Sequence, residues 1–206
     1  QTQELLSLIK AAGLINQGST GLREMLEEVL QSVALALHAN AALILLPHRE
    51  MRGILRVAAR YQVLVRKNQH LPEIRLDAYP YLSKALRARD QVVLDPRAVS
   101  HNAPELVSLL GDHETRAILI QPLLHREQCL GVLIASLEDG RRVFLEEHQQ
   151  LSETVGAQMA GAIENVRLYR SLESKARELQ RLLRRRESEL RRESAILESM
   201  AEGVLV

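Results

Sequence analysis

Apolar residues recur along the chain with two kinds of spacing, and these predict an order of helices and strands. Helical spacing is present in residues 3–17, 20–38, 79–89 and 104–110. Short apolar runs bounded by turn residues predict strands at residues 41–46, 53–61, 74–76, 92–94, 117–124 and 129–137. The last two runs are close enough to form a tight antiparallel hairpin. Strand pairs with helices before, between and after them indicate an α+β fold with an antiparallel sheet.

The last quarter of the chain, about residues 147–200, has the pattern of one long helix without proline. At 1.5 Å per residue it would be about 80 Å long, so we expect it to extend beyond a domain of this size. Once Arg186 and Glu193 are counted as polar occupants, its apolar residues follow alternating steps of four and three, the heptad seam of a dimeric coiled coil. They are Leu172, Ala176, Leu179, Leu183, Leu190, Leu197 and Met200.

A second apolar seam precedes the first in the same predicted helix. It consists of Val155, Met159, Ala162, Val166 and Tyr169. The step from Tyr169 to Leu172 is three where four is due, and such a slip overwinds a coiled coil locally. Arg186 and Glu193 occupy d positions and are expected to weaken the coiled coil. The slip is expected to offer two registers of the coiled coil, and these two polar residues keep the registers close in energy. A solvated helix in a monomer is the alternative.

The composition and charge of the chain limit the kinds of partner and cellular compartment that are expected. A formal net charge of +1 gives no bulk attraction to nucleic acid or membrane, and no apolar run approaches the ~20 residues of a membrane span. The single cysteine, Cys129, rules out an internal disulfide and suits a reducing compartment, so we expect a cytoplasmic protein. Because the chain begins with Gln rather than Met, we expect it to be a piece of a longer protein.

Several segments together resemble a GAF domain over about residues 20–170. They are GLREML at 21–26, AALILL at 41–46, VVLD at 92–95, ILIQPL at 118–123, LGVL at 130–133, FLEE at 144–147 and AIENVRLY at 162–169. The closing string is the most specific of these. The resemblance implies an antiparallel sheet of about five to six strands flanked by helices, with Gly131 letting its strand lie close against packed backbone.

The resemblance also predicts how the chain is divided. Residues 1–18 would form a linker or dimerisation helix, 19–170 the GAF domain and 171–199 a coiled-coil signalling helix. Residues 200–206 would begin a further domain, since residues 194–206 are similar to the start of a PAS domain, with Gly203 ending the helix. We therefore expect a sensory module from a bacterial multidomain protein. A sensor histidine kinase is the expected output, and a diguanylate cyclase is the alternative.

Membership in the GAF family would imply a small-molecule pocket between the sheet and the segment that joins the later strands. Arg116 with His113 could meet an anionic ligand there, although the favoured interpretation is that both are exposed loop residues. The residues expected to border this pocket are Leu94, Asp95, His101, Leu106, His113, Arg116, Ile118 and Gln121. A pocket filled by its own side chains is the alternative, and the sequence does not identify a ligand.

The expected partner is a second copy of the chain, joined through the N- and C-terminal helices in either a parallel or an antiparallel arrangement. The predicted contacts are Leu5, Leu8, Ala12, Ile15, Met159, Val166, Tyr169, Leu172, Leu179, Leu183, Leu190 and Leu197. A PAS domain and a kinase or cyclase domain are expected downstream in the same chain. Neither nucleic acid nor a membrane is an expected partner of this fragment.

Several kinds of site are not expected. Bilin-binding GAF relatives need a suitably placed cysteine and aromatic walls, whereas Cys129 lies inside a predicted strand and aromatic residues make up 2% of the chain. We expect no haem, bilin or metal, since the histidines form no i,i+4 pair and no cluster with cysteine. No phosphate loop, nucleophile elbow or nucleophile–base pair is visible, so the chain is expected to be non-catalytic. A ligand-free structural spacer remains the alternative to a sensor.

Overall fold

The computed structural model describes residues 19–48, 50–62, 73–110, 115–138 and 143–203. The chain divides into two units, one ending at Val166 and the other beginning at Arg167. The helix predicted over residues 3–17 lies outside the described residues, as do residues 204–206 of the predicted PAS start.

The described residues form five α-helices and six strands, in the predicted order with one addition. The helices are α1 Ser19–Ala36, α2 Pro80–Ala88, α3 Pro96–Asn102, α4 Pro104–Leu110 and α5 Glu146–Gly203. The strands are β1 Ala41–Pro47, β2 Ile54–Tyr61, β3 Glu73–Arg75, β4 Val92–Leu94, β5 Ala117–His125 and β6 Gln128–Leu137. A 3₁₀ turn at Leu76–Ala78 leads from β3 into α2.

The six strands form one antiparallel sheet in the order β3-β2-β1-β6-β5-β4, which confirms the predicted fold class. The β5–β6 hairpin was predicted from the short link between its strands. His125 pairs with Gln128, so only Arg126 and Glu127 form the turn. Arg126 has a φ of 53°, a left-handed conformation that a tight turn requires.

Two apolar cores lie on opposite faces of the sheet because side chains alternate along each strand. Leu119 and Leu133 contribute to the core that includes residues of α1 and α5. Ile118 and Ile134 contribute to the core that includes residues of α2, α3 and α4. The central strands are therefore buried on both sides and carry continuous apolar runs, as in β1, where Ala41 to Leu46 are all buried.

Helix α3 is the element that the sequence analysis missed. The sequence pattern predicted a strand at residues 92–94 and no helix between that strand and residue 104, and a residue before proline generally avoids helical conformation. In the structure, Asp95 is extended and its carboxylate accepts the Ala98 N–H at 2.8 Å, while Pro96 is the first helical residue. Proline is favoured at that position because its missing N–H would have no helical partner.

Gly131 of β6 lies in close contact with the neighbouring central strand, β1. A Cβ atom at this position would lie 2.5 Å from the Leu45 carbonyl oxygen and 2.6 Å from the Leu46 Cδ2 atom. No side chain fits these distances, so the glycine is required by close packing. This confirms the role expected for Gly131 from the sequence.

The second unit contains the continuation of α5, which the sequence predicted as the long helix. Large apolar side chains are exposed along its described part: Leu168, Tyr169, Leu172, Leu179, Leu182 and Leu183. No side chain is described beyond residue 188. Within the described ranges, no helix has the combination of length and apolar content that crossing a bilayer requires.

Candidate functional site

Three residues of the predicted pocket come together on the sheet face that α2, α3 and α4 cover. Leu94 of β4, Leu106 of α4 and Ile118 of β5 are all buried and belong to one apolar cluster. The structure therefore groups the apolar part of the predicted site. In this arrangement the three side chains pack within their own apolar cluster. A contact between them and a ligand therefore stays a prediction.

The charged residues predicted for the same site lie at the surface. Asp95, His101 and Arg116 are exposed. Asp95 is the cap of α3, and the His101 Nδ1 atom lies 3.0 Å from the backbone carbonyl of Arg97, four residues earlier. Both contacts are local to the helix. His113 lies outside the described residues, so its pairing with Arg116 around an anion stays a prediction.

Gln121 faces the opposite side of the sheet from the predicted pocket. Ile118 and Ile120 point toward α2–α4, and the alternation along β5 turns Gln121 toward α5. A Cβ atom placed on Gly156 of α5 would lie 3.0 Å from the Gln121 Cγ atom. Assigning Gln121 to a pocket on the α2–α4 face was therefore wrong, because a strand buried on both faces gives no polar alternation from which to read its direction.

A side-chain network on the α5 face replaces that assignment. The Gln91 Nε2 atom donates to Gln121 Oε1 at 2.6 Å and to Ser152 Oγ at 2.7 Å, and it lies 3.1 Å from the Gln149 carbonyl oxygen. The Ser152 hydroxyl donates to the same carbonyl at 2.8 Å. Gln121 is 4% exposed and Ser152 is fully buried. The network thus joins the residue before β4 to both β5 and α5.

An open groove of about 350 Å³ runs beside this network. Its charged residues have both signs: Arg89, Asp90, Glu146 and Glu153. Because three carboxylates outnumber Arg89, the groove carries a net negative charge and disfavours anionic ligands. The network is better interpreted as a structural connection than as a binding site.

Three polar groups were also missed by the sequence analysis, and two of them, Tyr79 and Glu105, belong to the α2–α4 face. Tyr79 packs against the apolar cluster, and burial, together with the negative charge of Glu105, raises the pKa of its hydroxyl. The Glu105 Oε1 atom and the Thr115 Oγ1 atom are buried without a hydrogen-bond partner among the described residues. Buried polar atoms are normally satisfied by a partner or water. A bound molecule with N–H or O–H donors would supply one. Glu105 gave no signal in the sequence, because an acid in the first turn of a helix is ordinary.

Cys129 lies at the start of β6 and is half-buried. Burial raises the pKa of its thiol, and the Sγ atom donates to the Gly131 carbonyl at 3.4 Å. The raised pKa favours the thiol form of Cys129, whereas covalent attachment of a bilin and binding of a metal ion both need the thiolate. Across the part of the chain that the structure describes, no three His, Cys, Asp or Glu residues are grouped to hold a metal ion.

The predicted dimer contacts separate into two classes. Met159 and Val166 are 1% and 5% exposed and belong to the core between α1, α5 and the sheet. This corrects their assignment, because their side chains are already covered within their own chain. Exposed side chains, by contrast, are found at Tyr169, Leu172, Leu179 and Leu183. The remaining predicted contacts, Leu5, Leu8, Ala12, Ile15, Leu190 and Leu197, have no described side chains.

Comparison with known proteins bears on the fold. The GAF domain family model matches residues 21–163. No curated protein matches the chain. Similar solved structures include the GAF domain of a phosphoenolpyruvate-protein phosphotransferase from Coxiella burnetii, with 20% identity, a TM-score of 0.65 and coverage of 82% of this chain and 96% of that one.

Two further structures come from sensory proteins. The GAF domain of a two-component sensor histidine kinase from Bacillus halodurans has 21% identity and a TM-score of 0.55, covering 69% of this chain and 93% of that one. The phycoerythrobilin-bound GAF domain of a cyanobacterial phytochrome has 16% identity and a TM-score of 0.60, covering 82% and 97%. At these identities the likeness concerns the fold. Since the family model spans more than half of the 206 residues, the chain belongs to the GAF domain family.

Proposed function

We propose that this chain is the sensory module of a signal-transduction protein, with a small molecule bound on the α2–α4 face and its state relayed through α5. The observation that carries the proposal is the continuity of α5. Its residues Val155 to Val166 contribute to the domain core, and the same helix continues through a segment of exposed leucines to Gly203. Similar folds in a sensor histidine kinase, a chemotaxis protein and a phytochrome support a sensory role.

The α2–α4 face is the proposed ligand side because it combines an apolar cluster with unsatisfied polar atoms. Ligand sites in proteins are mostly apolar with a few convergent polar groups. Tyr79 and Glu105 provide such groups beside Leu106, and the free oxygen of Glu105 is an acceptor. The proposed ligand is therefore a small, largely apolar molecule that carries an N–H or O–H donor.

This part of the proposal is tested by native mass spectrometry of small molecules released from the purified chain. A released molecule should then raise the melting temperature saturably. Glu105→Gln should weaken that shift, while Lys84→Gln, which changes an exposed residue of α2 outside the predicted site, should preserve it. A shift that is unchanged in Glu105→Gln would contradict the assigned face.

A ligand-free structural spacer is the second candidate function. It is favoured by one observation: Leu94, Leu106 and Ile118, the apolar residues of the predicted pocket, are buried against their own cluster. If no molecule is released and none produces a saturable thermal shift, the spacer replaces the sensor. Neither candidate assigns the chain a reaction of its own, and turnover of a substrate by the purified protein would contradict both.

The proposed partner for the exposed leucines is a second copy of this chain. Leu172, Leu179 and Leu183 are each more than 60% exposed, and they follow the a/d spacing of a coiled coil. Apolar side chains at this spacing are buried when two such helices pair, and each buried leucine contributes about 1.5–3 kcal/mol. A homodimer accounts for this stripe without requiring another protein.

Sedimentation velocity of the 206-residue chain tests the dimer. We expect a dimer for the unchanged protein and a monomer for the double variant Leu172→Glu with Leu179→Glu, because both charges would enter the seam. Leu182→Glu is the matched control, since Leu182 is similarly exposed but lies outside the a/d positions. A lone subunit at high micromolar concentration, or equal loss of dimer in the control, would overturn the assignment.

The relay and the output domain belong to the same proposal. A histidine kinase is the proposed output and a diguanylate cyclase the alternative. Deleting one heptad between residues 172 and 193 should change the output activity of the full-length protein, because it shortens the connecting helix by about two turns. If the output activity is unchanged, α5 does not relay the state of the sensory domain.

A further inference from the structure

A cavity of about 370 Å³ lies where the end of α1 meets the start of α5. Apolar residues of β6 and of the segment before α5 form much of its wall, and two histidines face it, His38 and His148. Their ring centroids are 6.1 Å apart in an edge-to-face arrangement. The function proposed above uses neither histidine.

His148 makes a contact that fixes how α5 begins. It is the third residue of the helix, and its Nδ1 atom accepts the backbone N–H of Leu145, the residue just before the helix, at 3.2 Å. Glutamate or glutamine commonly makes this bond from the third position, where the side chain reaches back to the capping residue. Here an imidazole takes that role. Its neighbour Gln149 donates to the Phe144 carbonyl at 3.1 Å, and the two bonds together hold the segment that enters the helix.

The contact requires a particular protonation state. Nδ1 accepts a hydrogen bond only when it carries no proton, so the capping form of His148 is the neutral imidazole with its proton on Nε2. Protonation puts an N–H on Nδ1 opposite the Leu145 N–H, and the bond is lost. The added positive charge also lies at the N-terminus of a helix, where cations are disfavoured. Histidine is the side chain that ordinarily changes charge between about pH 5 and pH 8.

Among the residues that the structure describes, few charged and titratable groups lie around this ring. From the turn after α1 the facing group is His38, and from α5 itself Glu147 lines the same cavity, with Glu146 in the same first turn. The side of the ring toward the core meets Phe144, whose ring centroid is 6.4 Å away. A protonated His38 would oppose a charge on His148, whereas Glu147 would attract the released imidazolium. Both effects act on the cation and leave the neutral cap unchanged.

We propose that His148 makes the start of α5 sensitive to pH. The neutral imidazole caps the helix through Leu145, and acidification releases the cap and loosens the first turn. Because α5 is the helix that continues to Gly203, a change at its start alters the element that the relay would use. The proposal does not depend on a ligand or on dimerisation, so it can fail while the proposed function stands.

Backbone amide exchange of the 206-residue chain tests this directly. Protection factors, corrected for the intrinsic pH dependence of exchange, are compared at about pH 7.5 and about pH 5.5, on either side of the histidine range. For the unchanged protein we expect about a five-fold loss of protection at Leu145 and Gln149 on acidification, the factor that corresponds to a typical N-cap interaction. Amides in the middle of β6 should keep their protection and show that the domain remains folded.

His148→Gln is the matched variant, because glutamine keeps an acceptor at the third helical position and does not titrate. It should retain protection at both pH values, whereas His148→Ala should lack it at both. His38→Gln should behave as the unchanged protein does. The proposal is overturned if the unchanged protein shows no pH-dependent change at these amides, or if His148→Gln shows the same change.

Discussion

The two parts of α5 carry similar apolar spacing and yet have opposite surroundings. Val155, Met159 and Ile163 are at most 1% exposed and pack in the domain core, whereas Leu172 and Leu183 are both 63% exposed. The boundary between the two units falls after Val166, just before the heptad spacing slips between Tyr169 and Leu172. The slip therefore coincides with a change of surroundings, from packing in the domain core to exposure at the surface.

This comparison shows what apolar periodicity establishes and what it leaves open. A stripe at helical spacing indicates that one helix face is buried, but it does not identify what buries it. The sequence pattern was interpreted as one interrupted coiled coil, and the structure divides it into a core-facing stripe and an exposed stripe. The two stripes have different surroundings, so their heptad spacings need not continue one into the other. The slip between Tyr169 and Leu172 can therefore be explained without two alternative registers of a coiled coil.

The comparison is tested most sharply by truncating one apolar side chain to alanine in each part of α5. Ile163→Ala should lower the free energy of unfolding by about 2–5 kcal/mol, because it leaves a cavity in a packed core. Leu172→Ala should change the unfolding of the domain by less than about 0.5 kcal/mol, as exposed positions do. Chemical denaturation at low protein concentration measures both. Comparable losses in the two variants would mean that the exposed stripe is also part of the domain core.

The next largest effect is expected at the network that ties α5 to the sheet edge. Gln91→Met removes the donor to Gln121 and Ser152 and should cost about 1–3 kcal/mol, because both polar partners stay buried. Gln150→Met, an exposed glutamine in the same groove, is the control and should be close to neutral. Denaturation curves with equal slopes are the measurement. A neutral Gln91→Met would show that water replaces the network at no cost.

Two glycines within the core-facing part of α5 should respond differently to replacement by alanine. Gly161→Ala should stabilise by about 0.5–1 kcal/mol, since alanine is the better helix former, and its Cβ would lie no closer than 3.7 Å to the His125 ring. Gly156→Ala should lose that gain, because its Cβ would lie 3.0 Å from Gln121 Cγ. Thermal melts measure the stability of both variants. Equal gains in melting temperature would mean that α5 can shift relative to β5 to accommodate the added methyl group.

The smallest effect is expected from an ion pair in the exposed part. The Arg177 Nη2 and Glu173 Oε2 atoms are 3.3 Å apart, and both side chains are well exposed. Arg177→Gln should lower helix stability by no more than about 0.3–0.5 kcal/mol, because exposed pairs one helical turn apart are weak. Circular dichroism as a function of salt checks this. A loss above about 1 kcal/mol would place this pair in a desolvated contact.

Most of the fold was accessible from the sequence because its signals are local. The strands of the hairpin are long apolar runs with a short link, and α2 has a clear inward stripe at Leu82 and Ala85. Even the missed α3 had a local signal, since Asp95-Pro96 is a capping residue followed by proline at the first helical position. This signal was not used, and no element was predicted between residues 94 and 104.

The site was less accessible because its contacts join distant parts of the chain. Gln91 and Ser152 are 61 residues apart, and nothing in their neighbourhoods indicates that they meet. The direction of Gln121 could not be read from a strand that is buried on both faces. Glu105 becomes notable only when its oxygen is seen buried beside Tyr79, which depends on how α4 packs. Capping by His148, by contrast, follows a sequence rule, with histidine in place of the usual glutamate.

The contact at Gly131 has a consequence for the chain's tolerance of substitution. The β1–β6 pair lies at the middle of the six-stranded sheet, so any side chain added there would force apart its two halves rather than displace an edge. Even the single methyl group of alanine would meet a backbone oxygen, which cannot rotate out of the way as the end of a side chain can. In a library of all possible replacements, this position should therefore accept none.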